Sequence, residues 1–390
     1  MLEAHPRHVN PPAPAGWRER WRERWRAWRD RTLTNPAFQR EAVRWPFTRL
    51  VARRRARALF DLVGGFVYSQ VLLACVRVRA FEALAEGTQP LEALARRFGL
   101  PASAAERLLD AAVALELAER RGPGLYGLGA LGAPLVGNEA LTAMIEHHAV
   151  LYADLTDPVA LLRGDGPAPA LARYWAYATA EAPGALPTGQ VAAYSALMSA
   201  SQPLVAQEVL DAYDVSRHGC LLDVGGGEGR FLLAAAQRAP ALRLKLFDLP
   251  AVVPPAREAF ARAGLAGRAE VHGGDFTRDS LPPGADVVSL IRVMYDHGDT
   301  RALAILRAAH AALPPRGTLL VAEPMAGAPG APRMGDAYFG FYLLAMGSGR
   351  SRTAADLAEL IEAAGFESIQ ERPTALPVQV GVLVARRRAE

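Results

Sequence analysis

From residue 220 onward the chain alternates short β-type apolar runs with longer stretches whose apolar positions recur at helical spacing. Cys220-Leu-Leu-Asp-Val reads as a strand, Gly225-Gly-Gly-Glu-Gly as a tight turn, and Arg230-Phe-Leu-Leu-Ala-Ala-Ala as the start of a helix. Further strands are predicted at Leu242 to Asp248, Ala269 to Asp275, Asp286 to Val293 and Thr318 to Glu323. Helical patterns cover Val253 to Ala263, Thr300 to Ala312 and Ala354 to Ala364. Two β-rich runs, Glu367 to Glu371 and Val378 to Ala385, close this region as a hairpin-like pair. Strands and helices alternating at these lengths predict an open, doubly wound α/β sheet with its ligand at the carboxyl ends of the strands.

Residues 46 to about 190 carry a different pattern and are mainly helical. Phe66 to Glu86 reads as one long helix. Pro90 to Leu100 and Pro101 to Leu115 read as two helices across a Gly-Leu-Pro turn, and Arg120 to Leu128 as a short β wing. This is a winged helix-turn-helix pattern. Its second helix offers Glu106, Arg107 and Asp110, with no Arg, Asn or Gln cluster to read base edges. It is therefore read as a packing and dimerisation module, and no nucleic-acid partner is expected. Three regions follow: an arm over 1–45, a helical winged domain over 46–190, and the α/β domain over 191–390.

The arm has its own pattern. Trp17, Trp21, Trp25 and Trp28 are spaced four, four and three residues apart, which places them within an arc of about 80° on a helix. Arg18, Arg20, Arg22, Arg24, Arg29 and Arg31 surround that stripe. One reading is a helix docked on its own protein or on a dimer mate. The other is peripheral binding to an anionic membrane, because Trp favours the headgroup layer and Arg attracts acidic lipid. Glu19, Glu23 and Asp30 make nucleic acid the poorer partner.

Composition adds little to this picture. The 390 residues allow two domains of ordinary size, and the net charge of +4 is modest. No uninterrupted apolar run approaches the ~18–20 residues of a membrane span. Met1 to Pro6 lacks the basic start of a signal peptide. Cys75 and Cys220 lie in apolar runs, as buried thiols of a reducing cytoplasm would. No metal is expected, since the histidines are scattered except for His147 and His148.

The candidate chemistry sits at the strand ends. Gly225, Gly227 and Gly229 follow GxGxG spacing, which suits close approach of a ligand to backbone but by itself admits another nucleotide or a bare βα turn. Asp248 closes the second strand twenty-three residues after Gly225, where a carboxylate can accept both ribose hydroxyls of a nucleoside. With Asp223 before the turn and Asp275-Phe276 after the third strand, this series resembles the class I S-adenosylmethionine (SAM)-dependent methyltransferases. The resemblance implies a Rossmann-like sheet, SAM as cofactor, and cofactor contacts from Asp223, Gly225, Gly227, Gly229, Asp248, Leu249, Asp275, Phe276 and Arg292. Asp275 would lie near the adenine amine and Phe276 against its face.

From about residue 60 to the end, the winged module followed by this sheet resembles the small-molecule O-methyltransferases with a dimerisation domain. Within that family, Ala58 to Leu72, Ile291 to Asp299 and the Trp/Arg arm resemble the carotenoid O-methyltransferases of purple photosynthetic bacteria. The resemblance implies a homodimer that methylates the tertiary hydroxyl of an acyclic hydroxycarotenoid, a lipophilic substrate, in the cytoplasm or peripherally at the photosynthetic membrane. Other large apolar pigments, such as bacteriochlorophyll precursors, and phenolic or polyketide substrates remain as alternatives. From another class comes a winged-helix regulator that only senses the cofactor.

The chain departs from the family's catalytic set. The family's base, a histidine in Leu-His-Asp-Trp, is replaced by Tyr295, and the Trp position is His297. A second family carboxylate is replaced by Ser351, leaving Glu323 as the retained acid. Tyr295, His297 and Glu323 are the candidate catalytic residues, with Tyr295 expected to orient the substrate. Tyr338, Phe341, Tyr342 and Met346 are expected to line an apolar pocket, although an ordinary core helix fits the same pattern. His147 and His148 are candidates to reach that pocket, or else satisfied interfacial histidines.

Overall fold

The computed structural model describes residues 17–175, 188–328, 333–377 and 379–389. Residues 1–16, which include the Met1 to Pro6 start, and Val378 of the closing run lie outside the described residues. Helices α1 (Trp17–Thr34) and α2 (Pro36–Arg44) lead into the long α3 (Arg49–Arg77) and short α4 (Ala80–Ala85). The winged module follows as β1 (Gln89–Pro90), α5 (Leu91–Phe98), α6 (Ala102–Ala114), β2 (Ala118–Gly122) and β3 (Leu125–Leu128). Helices α7 (Glu139–Asp154), α8 (Pro158–Arg163), α9 (Ala170–Tyr174) and α10 (Thr188–Ala212) connect it to the sheet. α10 crosses the domain boundary expected at residue 190.

The expected single helix over 66–86 is two helices, broken where Arg79 adopts a left-handed φ of 56°. Its periodicity conceals the break, because Leu73, Val76, Ala80, Phe81 and Leu84 all enter one core on both sides of it. The absence of an uninterrupted apolar run does not make every helix polar. Polar residues interrupt α3, yet by length and composition it is apolar enough to cross a bilayer.

The α/β region is laid out as the patterns predict. It comprises β4 (Cys220–Val224), α11 (Arg230–Arg238), β5 (Arg243–Asp248), α12 (Val253–Arg262), β6 (Ala269–Gly273), β7 (Val287–Ile291), α13 (Asp299–Ala312) and β8 (Thr318–Glu323). After it come α14 (Phe339–Met346), α15 (Ala354–Ala363), β9 (Phe366–Arg372) and β10 (Gly381–Arg387). The strand order is β6-β5-β4-β7-β8-β10-β9, parallel except for β10, which runs antiparallel to both neighbours.

Alternation along each strand builds two cores. On β4, Leu221 packs with Phe231, Leu232 and Phe260, whereas Cys220, Leu222 and Val224 pack with Ile305, Leu306 and Ile361. Burial of this kind contributes about 1.5–3 kcal/mol per large side chain. The strand order reverses between β4 and β7, which opens a crevice at their carboxyl ends.

Candidate active site

A cavity with about 930 Å³ of empty space, open to solvent, occupies that crevice. Its floor is the turn after β4. Gly225 and Gly227 take left-handed φ values of 72° and 57°, and a Cβ on Gly225 would lie 2.7 Å from Val293. A Cβ on Gly227 would meet nothing within 4 Å. Gly227 N–H donates to Asp248 Oδ2 and Leu249 N–H to Asp248 Oδ1, each at 2.7 Å, so the carboxylate at the tip of β5 braces the glycine turn. Burial pushes the Asp248 carboxyl up to about 6.

Gly225, Gly227, Asp248, Leu249, Asp275, Phe276 and Arg292 all line the cavity, as the sequence led one to expect. Asp223 and Gly229 do not. Asp223 lies beneath, accepting the Ser289 hydroxyl at 2.6 Å, with burial pushing its carboxyl up to about 7. Gly229 faces Phe260, which a Cβ would approach to 2.7 Å. These two residues shape the turn from behind. The chemistry of the set fits SAM: a backbone cradle with space beside Gly227, a carboxylate at the second strand, and an aromatic wall at Phe276.

Helix α10 supplies the opposite wall through Met198, Ser199 and Gln202, which no motif marked. Ser199 donates to Glu228 at 2.6 Å, and Arg292 donates to Ser201 at 2.8 Å, joining this helix to β4 and β7. Arg292 itself has a φ of 60° and donates its N–H to Ala322.

After β7 the chain makes a 3-10 turn over Met294–Asp296. That turn is clamped by its backbone. Tyr295 N–H donates to Glu323 Oε2 at 2.9 Å, and Arg350 N–H donates to Tyr295 O at 2.8 Å. Ser348 Oγ donates to Asp296 O at 3.0 Å. Arg352, only 1% exposed, donates to Met294 O and His297 O at 2.8 and 2.7 Å while pairing with Asp299. The segment that lost the family acid at Ser351 thus still holds the turn through its arginine.

The three candidate catalytic residues separate here. His297 and its neighbour Asp296 line the cavity; Tyr295 and Glu323 do not. His297 meets Phe276 edge-on at 5.6 Å, and burial pushes its imidazole down to about 3. Burial raises the Tyr295 phenol above its ordinary range and the Glu323 carboxyl to about 7.

Tyr295 instead joins a buried cluster with Leu151, Leu171, Trp175, Tyr342, Leu343 and Met346 at the junction of the two domains. Tyr338 and Phe339 pack against it. Phe341 is half-buried and outside this cluster, so Phe339 takes the place expected for it. Both histidines reach the junction: His147 bonds Tyr342 at 2.8 Å and His148 bonds Tyr338 at 2.7 Å. His148 Nδ1 faces the Met144 carbonyl, which makes Nε2 the acceptor of the Tyr338 hydroxyl. Burial pushes His147 down to about 4 and lowers His148 below its ordinary value, so this pair is uncharged at neutral pH.

The likeness to known proteins agrees with this geometry. Residues 60–138 match the O-methyltransferase dimerisation domain, and residues 152–367 match the O-methyltransferase domain. The chain is 44% identical to demethylspheroidene O-methyltransferase of Cereibacter sphaeroides, over 90% of this chain and 93% of that one. It is 42% identical to the Rhodobacter capsulatus protein of the same name, over 88% and 85%. Human N-acetylserotonin methyltransferase, solved in complex with SAM, superposes with a TM-score of 0.69 at 25% identity, covering 86% of this chain and 98% of that one. A glycine cradle at the switch point of a class I sheet, preceded by a dimerisation module, identifies this chain as a member of the SAM-dependent O-methyltransferase family.

Proposed function

We propose that this enzyme methylates the tertiary hydroxyl of an acyclic hydroxycarotenoid, working as a homodimer at the surface of an anionic membrane. The observation that carries this reading is the altered turn Met294–Asp296 beside an uncharged aromatic junction, in a chain 44% identical to demethylspheroidene O-methyltransferase. A phenol, with a pKa of about 10, can be deprotonated by a histidine before it reacts. A tertiary aliphatic hydroxyl is a far weaker acid, so its proton must leave as the new bond forms. That requirement rewards alignment in a dry pocket more than a strong resident base.

SAM, when bound, supplies a methyl group made electrophilic by the sulfonium. The chain's own contribution is placement. Asp248 and the Gly225–Gly227 backbone, which line the cavity, would hold the nucleoside end, and Asp275 and Phe276 would hold the base. Beside Tyr295, the Tyr342 and Tyr338 hydroxyls are already satisfied by His147 and His148, leaving an uncharged aromatic wall suited to a long apolar polyene.

The arm supports the membrane part. Trp17 and Trp21 are 70% and 63% exposed, and no residue of α1 is buried. Seven arginines face Glu19, Glu23 and Asp30 in this helix, a net of +4 that equals the whole chain's. The exposed Leu59, Phe60, Leu62, Val63 and Phe66 of α3 are assigned differently, because they fall in or beside the matched dimerisation segment.

Incubation with methyl-labelled donor and demethylspheroidene should give a labelled methoxycarotenoid. Label appearing only on a phenolic acceptor or a bacteriochlorophyll precursor would refute the substrate. Removing residues 1–34 should leave a cofactor-binding dimer that sediments less with phosphatidylserine liposomes. Equal sedimentation would return the tryptophan stripe to packing.

A further inference from the structure

The carboxylates around the cavity are not equivalent. Asp248 accepts from Gly227 and Leu249, Asp275 from Thr277, and Glu228 from Ser199. Asp296 is only 5% exposed and lines the same cavity, yet its Oδ1 is buried without a hydrogen-bond partner. A buried acceptor left unsatisfied costs about 1–3 kcal/mol, more when charged. The fold has no evident need of this carboxylate, since its turn is held through backbone atoms by Glu323, Ser348, Arg350 and Arg352.

We infer that Asp296 is the catalytic base of this enzyme and takes the proton of the substrate hydroxyl. This rests on the O-methylation proposed above and assigns its proton step to one side chain. As the hydroxyl O–H bond breaks, the proton passes to the Asp296 carboxylate, and the oxygen's electron pair forms the bond to the methyl carbon. The carbon–sulfur bond electrons remain on the donor's sulfur, leaving a neutral thioether. The protonated Asp296 then returns its proton to water through the open cavity.

Burial acts in opposite senses on the candidate groups. It disfavours the charged form of each, so it weakens His297 as a base and strengthens a carboxylate. His297 is pushed down to about 3, whereas the Asp296 carboxyl is raised well above its ordinary range, first by burial and then by Glu323. The guanidinium of Arg292 opposes that rise and keeps the ionised form accessible. Tyr295 and Tyr342, the other titratable groups facing it, are raised phenols that stay neutral. Glu323 has one oxygen committed to Tyr295 N–H and does not line the cavity. A base works best with a pKa near the working pH, and Asp296 is the cavity-lining group moved in that direction without a hydrogen-bond commitment on Oδ1.

The test is Asp296→Asn in the full-length dimer, with Asp296→Glu as the conservative partner. Turnover of demethylspheroidene by Asp296→Asn should fall at least about 100-fold, with KM and SAM affinity by calorimetry within about three-fold. Asp296→Glu should recover part of the rate. Wild-type kcat should rise with pH through a pKa above the usual carboxylate range, and that limb should vanish in Asp296→Asn. Without substrate, infrared titration of the wild type should show a protonated carboxyl band persisting above that range and absent from Asp296→Asn. Turnover of Asp296→Asn within five-fold of wild type, an unchanged pH limb, or SAM affinity lost in parallel with rate would overturn the assignment. If the wild type methylates no hydroxycarotenoid, the substrate proposal fails; an infrared spectrum lacking the Asp296 band would sink the base by itself.

Discussion

The sheet side and the helical side of this site are held by different means. On the sheet side, main-chain groups carry the load: the Gly225–Gly227 turn, braced by Asp248, and a loop tied down at Tyr295, Asp296 and His297 through their backbone atoms. On the helical side, side chains meet side chains, with His147 against Tyr342 and His148 against Tyr338, across about 190 positions of sequence. Backbone recognition tolerates little change at any position but does not depend on domain docking. The side-chain wall depends on the two domains staying together, and it is the part free to adapt to different acceptors.

That contrast can be broken first at the turn. Gly227→Val should weaken SAM binding by at least about 100-fold in calorimetry, because a branched side chain at φ 57° is strained and enters the cavity. Asp248→Ala should cost about 1–3 kcal/mol of the same affinity, by removing a charged acceptor and the brace for Gly227 N–H. Wild-type affinity in both variants would mean that the cradle is elsewhere.

Next in size is Arg352→Met, which leaves the carbonyls of Met294 and His297 without their donor. A loss of about 2–4 kcal/mol in denaturant unfolding is expected. Loss of turnover should exceed loss of SAM affinity, since the turn carries Asp296 while the glycine cradle is untouched. Equal losses would show that the sheet side fails as one unit.

On the helical side, a double-mutant cycle of His147→Phe and Tyr342→Phe should give a coupling of about 1 kcal/mol in unfolding, with SAM affinity unchanged. No coupling would mean that the junction is held by apolar packing alone.

A last test concerns pH. Folded Asp223 keeps its proton up to about 7, whereas an unfolded aspartate ionises near 4. The unfolded state therefore binds fewer protons between those values, and native stability attributable to Asp223 falls as pH rises through them. Asp223→Asn can still accept the Ser289 hydroxyl but does not titrate. Its Tm relative to wild type should climb from pH 4 to pH 7; a flat difference would show that Asp223 ionises normally.

The cradle was legible because each of its parts is local. Asp248, Asp275 and Phe276 sit where a strand ends, and the period of the strand fixes that position once the apolar run is seen. Strand alternation likewise gave the order of elements from β4 to β10 and which residues enter the cores. The break at Arg79 was hidden because burial continues across it, and hydrophobic periodicity reports burial rather than φ.

Which side chain at the turn faces the ligand was not legible in the same way. Tyr295, Asp296 and His297 are consecutive, and a 3-10 turn sends neighbours in different directions, so resemblance to the family's histidine segment points to Tyr295 without showing which side chain faces the cavity. Only the tertiary structure turns Tyr295 into the aromatic junction, sets His297 against Phe276, and leaves Asp296 on the cavity wall. Met198, Ser199 and Gln202 of α10 carry no signal at all, because they become site residues only when that helix closes over β4. Sequence by itself determined the sheet and the cradle, both consequences of short-range periodicity and turn chemistry, and it carried the motifs by which the chain resembles its family. Desolvation decided the rest: it sets which carboxylate is a useful base, and it exists only once distant segments have packed together.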